Sequence, residues 1–397
     1  MTSPNLPPSN ASTSPTNQTT IASGTATNLP GRLPKLRDFL RIMVKECASD
    51  LVLKANGCPA VRVAGVIRFL GDQPLPPELM RSYVDEVLGE RLRPEFEKSG
   101  ACDTAVALPG VGRFRANAFH QCGEVGLVFR AIKNEIPSFK DLNLPVDPLK
   151  RLASLKRGLV LATGIAGSGK STTLASMIEY VNRTMNKHII TIEDPIEFRF
   201  EDKRSIVNQR EVGVDVSNFA QALRQAVRQS PDVILIGEMR DAETVSAAIS
   251  AAETGHLVFS TLHTVNAVQT VERIITFFPP HQHELVRLQL ALNLAGVCSL
   301  RLVKNKEGTS MVPAVELLIN TPTVRELLEQ GQTRLLPKAL AEGSYYGTMT
   351  FNQSLIRLFQ AGNISLEDAL ASSDNPDDLK MQMRGITQGA ASRPITH

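Results

Sequence analysis

The apolar positions of the chain change their spacing several times, and each change predicts a different kind of structure. Leu36, Phe39, Leu40, Met43 and Val44 recur at helical intervals, so ordered structure is expected to begin near Leu33 with a helix. From Ser49 to about Phe139 the pattern turns to short strand-like runs at 51–53, 61–63, 66–68, 104–107, 113–115 and 127–130, interrupted by an amphipathic helix over 77–87. This predicts an α+β domain. The stretch 142–148 carries prolines either side of Val146 and Asp147, resists regular structure and predicts a linker. Strand-like runs at 158–163, 188–193, 233–236 and 257–262 then alternate with helical patterns at 171–183, 219–228 and 242–252, the mark of a parallel sheet with right-handed crossovers. From Asn266 onward the pattern is mostly helical, with Leu285, Leu288, Leu292 and Ala295 on one stripe and Leu355, Leu358 and Phe359 on another.

The expected organisation is therefore a tail over 1–33, an N-terminal domain over 34–140, a linker over 141–157, an α/β core over 158–300 and a helical region over 301–397. Ser, Thr, Pro and Asn fill 21 of the first 30 positions, too polar a composition to bury a core, so the tail is expected to be disordered. The remaining composition narrows the class. With 397 residues, 42% of them apolar, the chain has material for two or three cored domains. The net charge is only +3, Trp is absent and Tyr occurs four times, which argues against a basic, aromatic-studded nucleic-acid surface. No uninterrupted apolar run is long enough for membrane insertion; the nearest, 288–303, contains Gln289, Asn293 and Arg301. The first basic residue is Arg32, so no secretory signal is expected, and five cysteines without a CxxC pair predict neither disulfides nor a zinc module. A cytoplasmic protein fits these features.

Chemistry concentrates where the alternating pattern begins. Gly164-Ile165-Ala166-Gly167-Ser168-Gly169-Lys170-Ser171-Thr172 satisfies the G-x-x-x-x-G-K-[ST] pattern between a predicted strand and a predicted helix, the setting the motif requires. Its glycines let successive backbone N–H groups point at one anion, Lys170 adds a charge for the β- and γ-phosphates, and Ser171 offers an oxygen to Mg²⁺. Nucleoside triphosphate with Mg²⁺ is the expected ligand. The run 233–236 ends in Gly237-Glu238 rather than Asp-Glu, leaving Glu238 to reach a metal through water. Glu193 and Glu197 follow the run 188–193, at the strand end where ligands bind in open α/β sheets. His256 and His263 flank the run 257–262; each is either a satisfied core histidine, a γ-phosphate sensor or a contact to a neighbouring subunit. Arg113 and Arg115 share one strand face and Arg130 ends another strand, placing them as arginine fingers or as solvated surface charges.

At these residues the sequence resembles a known family. GIAGSGKSTT, HIITIEDPIEF, VNQREVG, RQSPDVILIGEMRD and AAETGHLVFSTLHT resemble the Walker A, Asp box, Walker B and His box of the type II/IV secretion-system ATPases, and among them the PilT/PilU type IV pilus retraction ATPases. The resemblance runs from about Leu36 to 350–353, and the C-terminal ELLINTP, TFNQSL and LEDALASSDNPDDLKMQM are more like PilU than PilT. It implies a PAS-like N-terminal domain joined to a RecA-like ATPase domain, in a homohexamer whose nucleotide sites lie between domains and subunits. It further implies a cytoplasmic location at the inner-membrane base of the pilus, a membrane platform protein and a PilT-like paralogue as partners, and pilus retraction or an accessory role beside the paralogue. On that basis Glu197 matches the general base, Glu238 the Walker B acid, His256 and His263 the His box, and Arg113, Arg115 and Arg130 the arginines that close over the phosphates. Departures are Ala166 where Thr is usual and Asn352 where Asp is common.

Overall fold

The computed structural model describes residues 34–63, 65–132 and 135–384, so the expected tail over 1–33 lies outside the described residues. The chain divides after Ile132 into two compact units.

The first unit opens with α1 (Leu36–Lys45), which buries Leu36, Phe39, Leu40 and Met43 of the predicted stripe and leaves Val44 exposed. It continues through β1 (Asp50–Lys54), β2 (Ala60–Val63), β3 (Val66–Phe69), α2 (Pro77–Ser99), β4 (Ala101–Leu108), β5 (Gly112–Gln121) and β6 (Glu124–Ile132). The strands make one antiparallel sheet in the order β3-β2-β1-β6-β5-β4. Alternation along β5 buries Phe114, Ala116 and Ala118 and turns Arg113 and Arg115 to the other face, as period two requires. α2 bends at Gly89, whose φ of 57° few side chains tolerate.

The second unit holds the parallel sheet. Its elements are α3 (Val146–Ala153), β7 (Gly158–Thr163), α4 (Lys170–Thr184), β8 (His188–Glu193), β9 (Ile206–Glu211), α5 (Phe219–Ala226), β10 (Val233–Ile236), α6 (Ala242–Glu253), β11 (Leu257–Leu262), α7 (Ala267–Thr276), α8 (His283–Asn293), β12 (Leu294–Lys304), β13 (Met311–Ile319), α9 (Pro322–Glu329), α10 (Leu336–Glu342), α11 (Phe351–Gln360), α12 (Leu366–Ala371) and α13 (Pro376–Met383). The order β13-β12-β7-β11-β10-β8-β9 is parallel throughout except for β13. β7, β10 and β11 are buried along their whole length, because helices cover both faces, and this is why they read as near-continuous apolar runs.

Four expectations need correcting. The segment expected to be a linker carries α3, and Phe139, Leu144 and Leu149 are buried against α4, so residues from 136 on pack with the second unit. Proline stands at the start of α3 and costs the helix no hydrogen bond there. The edge strand β9 is absent from the expected pattern, since Asn208, Gln209 and Arg210 give it almost no apolar signal. The region after Asn266 is not helical throughout: β12 and β13 extend the sheet inside it, and 301–397 opens on strand before α9 to α13. The run 294–304 is an interior strand whose mostly apolar character matches a buried helix equally well. Finally, the α8 stripe points outward, with Leu285, Leu288 and Leu292 exposed at 58%, 42% and 65%, and the helix packs through Val286, Leu290 and Ala291 instead.

Candidate functional site

β7 delivers the chain, fully buried, to Thr163, and the glycine-rich loop then turns it into α4. Gly164, Gly167 and Gly169 adopt φ of 146°, 76° and 96°. Gly164 is the most tightly held, since a Cβ there would lie 2.3 Å from Ser168 Oγ and 2.5 Å from the Leu300 carbonyl of β12. α4 begins at Lys170 without a side-chain cap, so the first-turn N–H groups of Lys170, Ser171 and Thr172 have no partner within the helix. Together with the helix dipole they form an anion site.

Lys170 is buried and curls back over the loop, its Nζ donating to the Gly164 and Ile165 carbonyls at 2.9 and 3.0 Å. Burial lowers its pKa, while Glu238 and Glu197 pull it back up. Ser168 Oγ is buried with no hydrogen-bond partner. A positive, donor-lined cradle with an unsatisfied hydroxyl and a lysine held by neutral acceptors fits a phosphate chain.

The neighbouring strands aim acids at the same cleft. At the end of β10, Gly237 replaces the usual aspartate, and the packing explains why: a Cβ there would press on the Ile192 carbonyl and Glu193 Cα, both at 3.3 Å. The Gly237 N–H donates to Ile192 O at 2.7 Å, and Thr261 Oγ1 donates to Gly237 O at 2.7 Å, fixing the turn that presents Glu238. Glu238 accepts from Arg240 Nε at 2.9 Å on Oε2, and its Oε1 stands 3.4 Å from His263 Nε2. His263 Nδ1 is 3.4 Å from Lys170 Nζ. An ammonium has only donors, so Nδ1 faces it as an acceptor and the ring proton sits on Nε2, toward Glu238.

β8 ends in Glu193, which is buried. Its Oε1 accepts from Thr191 Oγ1 at 2.6 Å and Gln209 Nε2 at 3.2 Å, and its Oε2 from the Glu197 N–H at 3.4 Å. Burial, helped by the neighbouring Glu197 charge, outweighs those bonds and pushes the carboxyl up to about 7. Glu197 itself is exposed and lines one cleft with Lys170, Ser171, Glu193, Glu238 and His263.

Of the expected site residues, the loop residues 164–172, Glu193, Glu197, Glu238 and His263 therefore surround one another. His256 does not join them. It precedes β11, where its carbonyl accepts from Gly158 N, at the opposite end of the strand from the phosphate loop, and its Nδ1 lies 2.9 Å from the Ala251 carbonyl. Its role as a phosphate sensor in this cleft is ruled out by the parallel register, which separates the two ends of one strand. Arg113, Arg115 and Arg130 belong to the first unit; Arg115 faces Arg130 across β5 and β6, and Arg130 Nε pairs with Asp50 at 3.0 Å.

Sequence reasoning missed Arg240 and Gln209. Arg240 stands two residues beyond Glu238 in the irregular segment after β10, where no period marks which way a side chain faces. Gln209 left no signal, because it lies on the polar edge strand β9.

A family model described as type II/IV secretion system protein matches residues 113–336. The type IV pilus ATPase PilU of Pseudomonas aeruginosa is 43% identical over 87% of this chain and 90% of its own. The type IV pilus retraction ATPase PilT of the same organism is 41% identical over 86% of this chain and 99% of its own. The crystal structure of the pilus retraction motor PilT with bound ADP superposes with a TM-score of 0.81 at 46% identity, covering 88% of this chain and 99% of that one. A glycine loop on a parallel sheet, acids at adjoining strand ends and near-full-length similarity to two pilus motors converge: the chain is an ATPase of the type II/IV secretion-system family, in its PilT/PilU branch.

Proposed function

We propose that the chain works as a ring of its own copies, a homohexamer, that couples ATP hydrolysis to retraction of type IV pili from the cytoplasmic side of the inner membrane. The observation that carries the reading is the convergence of Lys170, Glu193, Glu197, Glu238 and His263 on one cleft beside the phosphate loop.

In this reading the N–H groups of the loop and of the first turn of α4 hold the β- and γ-phosphates, and Lys170 exchanges its two carbonyl partners for phosphate oxygens. Ser171 and, through water, Glu238 would hold Mg²⁺, which would neutralise phosphate charge when bound. Among the described residues no group of three or more His, Cys, Asp or Glu is placed to hold a metal by itself. Glu197, exposed in the cleft, takes the proton of the attacking water. Glu193 positions it through the Glu197 N–H, and His263 ties Lys170 to Glu238, so movement of the lysine onto phosphate is felt by the acid. Arg113, Arg115 and Arg130 supply further positive charge to the phosphates when the ring closes. A platform protein in the membrane receives the motion. No helix among the described residues is long and apolar enough to cross a membrane.

The identity to PilU favours a second reading, an accessory subunit that docks on a PilT ring. ATP turnover by the purified protein, alone and mixed with a PilT-like partner, with oligomer size recorded in parallel, separates the two. Turnover by a hexamer alone, lowered at least about a hundredfold in Glu197→Gln and Glu238→Gln, supports the autonomous motor; turnover that appears only with the partner supports the accessory role.

A further inference from the structure

The residues that close one side of the nucleotide cleft also line a second cavity. Glu238, Arg240 and His263 belong to both, and the other wall of the second cavity comes from α7 through Gln269, Arg273 and Phe277. Its charge is one-sided. Arg240 and Arg273 face it against a single carboxylate, Glu238, which Arg240 already pairs at 2.9 Å. Arg273 lies over the Phe277 ring, 4.7 Å from its centroid, and has no ion pair among the described residues. The guanidinium is therefore held against the ring, with no carboxylate claiming its donors among the described residues.

Hydrolysis leaves two anions, ADP and inorganic phosphate, in one cleft. An adjoining cavity with surplus positive charge draws the smaller anion away. What stands between the two spaces is the Glu238–Arg240 pair. Its arginine side chain is 60% exposed, so the pair is a weak, readily exchanged one. Asp194, on the nucleotide-cleft side, already pairs with Arg240 Nη1 at 3.8 Å and keeps hold of the guanidinium when it leaves Glu238.

We propose that the cavity between the Glu238–Arg240 pair and α7 is a station for inorganic phosphate, through which product phosphate leaves before ADP. The proposal rests on the ATPase reading of the cleft and adds an exit to it. Arg273 is the residue to change, because it touches the second cavity and not the first.

In single turnovers of the full chain, quenched-flow measures ATP cleavage and a fluorescent phosphate sensor measures release, for wild type, Arg273→Gln and Arg273→Glu. Cleavage is expected to stay within about twofold of wild type, while release slows and inhibition by added phosphate weakens, about tenfold in Arg273→Glu, in the range by which local charge alters the traffic of ions. Release and phosphate inhibition equal to wild type in both variants overturn the station. Absence of cleavage by wild type, with or without a PilT-like partner, overturns the parent reading instead; titration of inorganic phosphate into ADP-loaded protein then decides the station, and binding undiminished in Arg273→Glu rejects it.

Discussion

Replacing Glu193 by Gln should make the protein more stable at alkaline pH and slightly less stable in acid. The carboxyl is displaced from 4.5 to about 7, chiefly by burial. Below pH 4.5 it is protonated in both folded and unfolded chains and costs nothing. As pH rises toward 7 the unfolded chain gains the ionisation that the folded chain is denied, so stability present in acid is lost, and above 7 the loss is complete. At about 1.4 kcal/mol per pH unit of displacement, the full cost is about 3 kcal/mol. The amide of Gln keeps an oxygen for Thr191 and Gln209 and loses only the long bond from the Glu197 N–H, at 3.4 Å. That bond is worth about 1 kcal/mol at most. The net gain at pH 8.5 is therefore about 2 kcal/mol, a rise of roughly 4–8 °C in melting temperature for a unit of this size. Thermal unfolding followed by circular dichroism from pH 4.5 to 8.5 tests it. A difference between variant and wild type that stays flat across that range refutes the reasoning, whatever its size.

Lys170→Ala should lose nucleotide binding, by about a hundredfold or more in a fluorescent-nucleotide titration, while its circular dichroism is unchanged, because the lysine contributes charge rather than packing. Gly164→Ala should destabilise the fold by about 3 kcal/mol or more, since its methyl would meet the Leu300 carbonyl at 2.5 Å; a denaturation midpoint equal to wild type would disprove that contact. The two histidines should part company: His263→Ala lowers turnover at least about tenfold, whereas His256→Ala leaves ATP affinity as it was, and equal effects on both would contradict the separation of the strand ends.

What could be read from the sequence and what could not divide along physical lines. The phosphate loop was legible because its constraint is local: left-handed glycines and an uncapped helix start are properties of neighbouring residues. Glu193, Glu197 and Glu238 were legible as strand-end acids for the same reason. Their relative burial was not, since it depends on Gln209 and Thr191, contributed by one polar strand and one apolar one. β12 hid as a helix because a mostly apolar stretch, here broken by Ser299 and Arg301, suits an interior strand and a buried helix alike. The outward face of α8 shows the converse, that spacing gives a stripe without saying which side is covered. Asn352, a departure from the family, becomes intelligible only in three dimensions: its amide donates to Asp378 at 2.9 Å and accepts from Ser373 at 2.8 Å, where an aspartate would confront a second carboxylate.

The close approach of Leu300 to Gly164 gives the phosphate loop a backing that belongs to the C-terminal part of the chain. β12 is tied along nine residue pairs to β13, whose Val315 N–H is anchored on Ser354 of α11, and its Arg301 is clamped by Asp374 and the Ser372 carbonyl ahead of α13. Strands so bonded stretch very little, so the assembly behaves as a stiff strut rather than a tether. A tug on the terminal helices would arrive at the phosphates with little slack, and a tightening of the loop around nucleotide would be felt, in reverse, at the far surface of those helices.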